Sequence, residues 1–84
     1  MADSFQIEIA TPEKLVLQQS AQSAQIPGKD GYMGILPGHA ALLSELGEGT
    51  LSVTGDGQTK TFAITGGYVE VRDNHVRVLA DSAE

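Results

Sequence analysis

The sequence predicts an all-β domain, a sandwich or barrel of short strands. Three observations predict it. Apolar and polar residues alternate through most of the chain, the period of strands with one buried face. Clusters of Gly, Pro, Asn and Asp cut these runs at close spacing, as in sandwiches and barrels. The length of 84 residues allows one domain, 1–84, with one core.

The elements follow in order. Phe5, Ile7 and Ile9 share one face of a first strand, with Gln6 and Glu8 on the other. The turn Thr11-Pro12-Glu13-Lys14 parts it from Leu15–Leu17. Gln18–Gln25 is polar and small, a poor strand that reads as a weakly packed edge. Pro27-Gly28-Lys29-Asp30-Gly31 is a turn, Tyr32–Leu36 a short apolar strand, and Pro37-Gly38-His39 a second turn. Proline presets φ for turn entry and glycine supplies positive φ. Because the strand between them is short, the two turns are expected to lie near each other, displaying Asp30, Tyr32 and His39.

Ala40–Leu46 is in conflict. It is built mostly of helix formers and its apolar residues do not alternate, so local propensity favours a short helix. Seven residues hold no helix without tertiary support, and an extended segment is the alternative. After Gly47-Glu48-Gly49, Leu51 and Val53 alternate with Thr50, Ser52 and Thr54. Gly55-Asp56-Gly57 turns the chain into a run carrying Phe62 and Ile64 on one face. Gly66-Gly67 interrupts that run, which reads as a bend or bulge allowing close backbone approach. Val69 and Val71, then Val76 and Val78, complete the alternation. Between them Asp73-Asn74 predicts a two-residue hairpin, since both residue types tolerate left-handed φ. The predicted core is Phe5, Ile7, Ile9, Ile26, Ile35, Leu51, Val53, Phe62, Ile64, Val69, Val71, Val76 and Val78.

Composition narrows the function. Eleven acidic residues against five basic ones give a net charge of −6, which argues against nucleic acid and against a polybasic membrane anchor. No apolar run approaches a membrane span, and Met-Ala-Asp-Ser lacks the features of a signal peptide. With no cysteine, a disulfide framework and a thiolate metal site are both excluded. A cytosolic protein is the simplest expectation, without direct membrane insertion.

Catalytic chemistry finds no constellation. Two histidines, His39 and His75, are too few for a histidine metal site, and nothing converges with them. His75 reads as a solvated strand residue. His39, after Pro-Gly, is either a turn histidine bonding a nearby carbonyl or a partner contact. A nucleophile elbow is missing, the carboxylates are scattered along turns and outer faces, and Gly28-Lys29-Asp30 lacks the spacing of a phosphate loop. No cofactor, metal or nucleotide is expected. Of the aromatics, Phe5 and Phe62 are in the apolar register. Tyr32 and Tyr68 are candidates for interface anchors, although a half-buried surface tyrosine is the plainer reading of Tyr68.

The run Ile-Pro-Gly-x-x-Gly-x-x-Gly-Ile-Leu-Pro-Gly-His-Ala-x-Leu-Leu over residues 26–43 resembles the N-terminal domain of the epsilon subunit of F-type ATP synthase, called delta in mitochondria. Phe5–Glu13, Thr65–Val71 and Val76–Asp81 are similar to the same family in the same order. The resemblance implies a flattened ten-stranded β-barrel or β-sandwich, with Ala40–Leu46 extended. It implies a non-catalytic subunit of the central stalk that binds gamma, rests on the c-ring of the Fo sector and couples rotation to ATP synthesis. Such a subunit is peripheral, on the cytoplasmic face of the inner or plasma membrane. Residue by residue, Lys29, Asp30, Gly31 and Tyr32, with His39 and Ala40, match the family's ring-facing loops. Tyr32 departs from an acidic residue that some relatives carry there, which leaves neighbouring Asp30 to supply a carboxylate contact. No residues are implied for the gamma-facing surface. The family continues into two C-terminal helices that restrain ATP hydrolysis. The sequence ends at Ala80–Glu84, where they would begin, so the expectation is a chain without that helical hairpin, which supports coupling but does not restrain hydrolysis through its own C-terminus.

Two other classes fit less well. A lipoyl or biotinyl carrier domain is also an acidic, cysteine-poor β-sandwich, but needs a modified lysine at a hairpin tip in a context such as Asp-Lys-Ala. Lys29 stands in Gly-Lys-Asp, and Lys60 lies within a β run. A small enzyme would need a catalytic constellation.

Overall fold

The alternating runs form strands throughout. The computed structural model describes residues 3–84. Its eight strands are β1 (Phe5–Ala10), β2 (Leu15–Ala21), β3 (Ser23–Gly28), β4 (Gly31–Ile35), β5 (Leu42–Glu45), β6 (Glu48–Gly55), β7 (Gln58–Arg72) and β8 (His75–Ala83). Their order across the sheet is β2-β1-β8-β7-β6-β3-β4, with β5 also paired to β7. Neighbours are antiparallel except β1 and β8, which run parallel.

β7 organises the fold. Along one edge it pairs with β5 (Leu42↔Val71 to Glu45↔Tyr68) and then with β6 (Glu48↔Thr65 to Gly55↔Gln58) in one continuous register. Its other edge pairs with β8. At Gly66 and Gly67 φ is +60° and +110°, and the strand bends. The register with β8 is the same on both sides (Gly67↔Ala80, Thr65↔Ser82), so this is a bend with no inserted residue. A Cβ at Gly67 would run into the Leu79 carbonyl oxygen and stand 2.8 Å from the Ala80 Cα, so only glycine fits. The bend lets β7 serve both layers. Its C-terminal part lies with β5, β8, β1 and β2, and its N-terminal part with β6, β3 and β4. Eight continuous strands thus make up the sandwich, and β7 and β8 counted separately on either side of the bend give the ten segments expected.

The core between the layers is the predicted one with one correction. Phe5, Ile7, Ile9, Ile26, Ile35, Leu51, Val53, Ile64, Val69, Val71, Val76 and Val78 are all buried. Phe62 is only half-buried against the core's margin. It lies toward the Asp56–Gly57 hairpin, where Gln58–Thr61 are exposed and β7 runs past the opposing layer. Ala21, Ala24, Leu46 and Ala80 are buried as well. Two of these come from the polar stretch 18–25, which divides. Residues through Ala21 belong to the edge strand β2, as expected, whereas Ser23–Gln25 enter the interior strand β3. Ala40–Leu46 resolves as extended: Leu42–Glu45 pair with β7, and tertiary pairing overrides helix propensity. Asp73 and Asn74 take φ of +51° and +58°, the hairpin predicted for them.

Candidate functional site

Of the six residues singled out by the sequence, Gly31 and Tyr32 begin β4, an edge strand at one end of the sheet order, and the other four flank it. Lys29 and Asp30 form the two-residue tip of the β3–β4 hairpin, closed by the Gly28↔Gly31 pair. Both are exposed. The Lys29 N–H donates to the Glu45 carbonyl at 3.0 Å. Its Nζ lies 3.7 Å from Glu45 Oε2 with both side chains more than half exposed, a pair that contributes little. Gly31, at φ +135°, turns the chain into β4. Tyr32 is 55% exposed, yet its hydroxyl accepts the Thr50 backbone N–H at 2.9 Å.

His39 and Ala40 follow the other end of β4. Leu36-Pro37-Gly38-His39 is a turn closed by the His39 N–H donating to the Leu36 carbonyl at 3.1 Å, with Gly38 at φ +85°. Pro at the second position and glycine with positive φ at the third are what a type II turn requires. The Gly38 N–H donates to Asn74 Oδ1 at 2.6 Å, which ties this turn to the β7–β8 hairpin. His39 Nδ1 lies 2.7 Å from the Ala40 carbonyl oxygen. The turn-histidine reading is therefore realised, with Nδ1–H as donor and Nε2 left for another group. Ala40 is exposed.

The two turns are not neighbours. They sit at opposite ends of β4, whose five residues span roughly 16 Å. A short strand is still rigid and extended, and it holds its ends apart. The candidate residues thus form a line along a sheet edge: Lys29–Tyr32 at one end, His39 and Ala40 at the other.

The hairpin tip is clasped to the body of the fold. The Gly47 N–H donates to the Pro27 carbonyl at 2.8 Å, and Gly28 bridges to Leu46. A Cβ on Gly47 would stand 2.7 Å from the Gly28 carbonyl oxygen. The same β5–β6 junction reaches the bend of β7: Leu46 N–H to Gly67 O at 2.9 Å, and Gly66 N–H to Gly47 O at 3.3 Å.

Sequence reasoning offered Tyr68 as a candidate interface anchor but missed the surface around it. On the outer face of the layer holding β5, β7, β8, β1 and β2, paired residues line up as Glu45, Tyr68, Leu79, Ala10 and Leu15. Tyr68, Leu79 and Leu15 are 56%, 51% and 52% exposed. Leu43, at 71%, lies one row away on the same face. A cleft of about 560 Å³ opens beside the bend of β7, with Tyr68, Leu79 and Leu46 on its apolar side and the acidic residues Glu45 and Asp81 among its lining. The available signal was parity: Tyr68 and Leu79 are apolar at positions where their strands should face water.

Among the described residues no three His, Cys, Asp or Glu side chains gather as metal ligands, and no polar side chain is buried. Among the same residues no helix is long and apolar enough to cross a membrane. An exposed sheet edge and an apolar outer row are features for contact with another protein.

Known proteins share this fold. Residues 4–84 match the family model described as the ATP synthase, Delta/Epsilon chain, beta-sandwich domain. The chain is 52% identical over 84 residues to the ATP synthase epsilon chain of Koribacter versatilis, with all of this chain and 59% of that protein covered. It is 45% identical over 84 residues to the epsilon chain of Solibacter usitatus, covering all of this chain and 63% of that one. It thus spans about three fifths of the length of these curated relatives. A chain in the cryo-EM structure of the Euglena gracilis mitochondrial ATP synthase, OSCP/F1/c-ring, superimposes with a TM-score of 0.93 at 24% identity, covering 100% of this chain and 54% of that one. One in the Tetrahymena thermophila mitochondrial ATP synthase central stalk and c-ring gives 0.80 at 21%, covering 94% and 64%. At such identities the two structures speak for the fold.

Proposed function

The chain belongs to the delta/epsilon β-sandwich family of ATP synthase, and from that premise we propose that it acts as a non-catalytic part of the central stalk, coupling rotation to ATP synthesis. The β4 edge, with Lys29–Tyr32 and His39–Ala40, lies along the c-ring. The outer apolar row of Tyr68, Leu79, Ala10 and Leu15 docks gamma. The domain is peripheral, on the cytoplasmic face of the coupling membrane, and residues 1–84 by themselves support coupling without restraining hydrolysis.

The observation that carries this reading is the outer row. Three large apolar side chains, each more than half exposed and aligned across adjacent strands beside a cleft, are costly to leave in water and favour a protein partner. A second, separate edge is then free to meet another partner. The carrier alternative has little to support it, since Lys29, although at a hairpin tip, stands in Gly-Lys-Asp and not in a context such as Asp-Lys-Ala, and Lys60 is within β7.

Reconstitution with an epsilon-depleted enzyme tests the reading. Addition of the 84-residue chain should restore proton-coupled ATP synthesis and recover gamma and c subunits in a pull-down. Cysteines in Asp30→Cys and His39→Cys should both crosslink to c-subunit loops, because β4 lies lengthwise along the ring. Crosslinking from the outer row and from neither of these positions reverses the orientation. Strong inhibition of hydrolysis by this chain defeats the last element of the proposal.

A further inference from the structure

The Tyr32 hydroxyl is aimed into its own fold. β3 pairs with β6 in one register at Ser23–Gln25 against Ser52–Thr54. It meets the chain again at Gly28↔Leu46 and Pro27 O to Gly47 N–H, three residues out of that register. Between these points the β3–β6 ladder is broken. Thr50 lies in the break. Across from it in β7, Ala63 uses both its N–H and its carbonyl on Glu84, at 2.8 and 3.0 Å. Thr50 and Ala63 are therefore a pair that exchanges no hydrogen bonds, and in an antiparallel ladder the Thr50 N–H must then point toward β3. No β3 carbonyl takes it, and Tyr32 Oη does, at 2.9 Å. Tyr32 reaches it from β4 by crossing Pro27, its paired residue. Gly49 leaves the path open, for a Cβ there would meet the Tyr32 hydroxyl and stand 3.0 Å from Pro27 Cβ.

We propose that Tyr32 is a positioning residue: its hydroxyl latches the β3–β4 hairpin onto the broken β3–β6 ladder through Thr50, fixing the tip on which Asp30 makes the polar contact. The latch stands on this geometry alone. The assignment of the contact to Asp30 rests on the proposed docking of β4 against the c-ring. A pinned tip loses less conformational freedom on docking, so the latch acts on affinity by pre-organisation.

Amide hydrogen exchange of the whole 84-residue chain, read by NMR, tests the latch. Tyr32→Phe keeps the ring and removes the acceptor, so Thr50 should exchange about three- to tenfold faster while the Leu51 and Ile64 amides stay as in wild type. Gly49→Ala should do the same by displacing the ring. Asp30→Asn should leave Thr50 unchanged. Unaltered Thr50 exchange in Tyr32→Phe overturns the latch. Binding to detergent-solubilised c-ring then separates the two readings. Weaker binding of both Tyr32→Phe and Asp30→Asn supports the positioning role. Wild-type binding by Tyr32→Phe with Thr50 opened overturns that role. If Asp30→Asn binds as wild type while Tyr32→Phe alone opens Thr50, the latch stands and the contact assigned to Asp30 falls.

Discussion

Replacing Ile64 with Asp probes the core where the layers meet. Ile64 is 1% exposed, opposite Gly49 in β6 and Ala83 in β8. Losing its burial costs about 1.5–3 kcal/mol. The carboxylate adds more. Buried without a partner it stays protonated in the native state, and at pH 7 protonating a group of unperturbed pKa near 3.9 costs roughly 4 kcal/mol. The total, about 5.5–7 kcal/mol, approaches the whole stability of a small domain, roughly 5–15 kcal/mol. The second part depends on pH. The native pKa is raised above the unfolded one, so between them the native state binds the extra proton and stability falls as pH rises, by about 1.4 kcal/mol per unit. Below the unfolded pKa, near pH 4, this penalty is gone and the packing loss remains. Urea unfolding followed by circular dichroism at pH 7 and pH 4.5, with wild type and Ile64→Asn alongside, separates the parts. Ile64→Asp should recover relative to Ile64→Asn as pH falls. An unchanged midpoint, or a destabilisation equal at both pH values, refutes the burial argument.

Other positions give sharper local readouts. Gly67→Ala should leave little folded protein, because its Cβ meets the Leu79 carbonyl at φ +110°; a native melting curve contradicts the bend. Asn74→Ala should cost about 1–2 kcal/mol, as it loses both tolerance of φ +58° and the acceptor for the Gly38 N–H, and thermal unfolding measures it. Leu79→Glu lies on the outer face at 51% exposure, so it should change stability by less than about 1 kcal/mol. It should weaken gamma binding about tenfold or more in a pull-down titration; wild-type binding removes Leu79 from the docking row.

How much of this was legible follows from what each signal depends on. Strand parity depends on one residue's choice of face, so Ile7, Leu51, Val69 and Val78 are read correctly one at a time. Turn chemistry is also local, and Asp73-Asn74 and Leu36–His39 adopt the turns their residues specify. Phe62 shows the limit: its parity is right, but its burial depends on how far the opposing layer extends. Ala40–Leu46 shows another, since its conformation is decided by the free edge of β7, more than twenty residues away in sequence. Tyr32 shows a third. Its hydroxyl partner exists only because the β3–β6 ladder breaks, and no pattern in the sequence announces the break. Of the outer row the sequence offered Tyr68 alone, and only the strand order brings it beside Leu79, Ala10 and Leu15.

The glycines at 47, 66 and 67 join these observations. β5 and β6 form a single ladder along β7, and Leu46-Gly47 opposite Gly66-Gly67 is the point where it bends. On one side of that joint the clasp from Pro27 and Lys29 holds the tip carrying Asp30. On the other lies the cleft with Tyr68 and Leu79. Both proposed contact surfaces are therefore tied to one set of main-chain hydrogen bonds, with no loop between them. The proposed coupling role gains from such an arrangement, because a flexible segment would absorb part of each rotational step. Side chains at the joint would push the strands apart, as the 2.7 Å approach of a Gly47 Cβ to the Gly28 carbonyl shows. Stiffness between the two surfaces thus comes from residues that have no side chain to offer either partner.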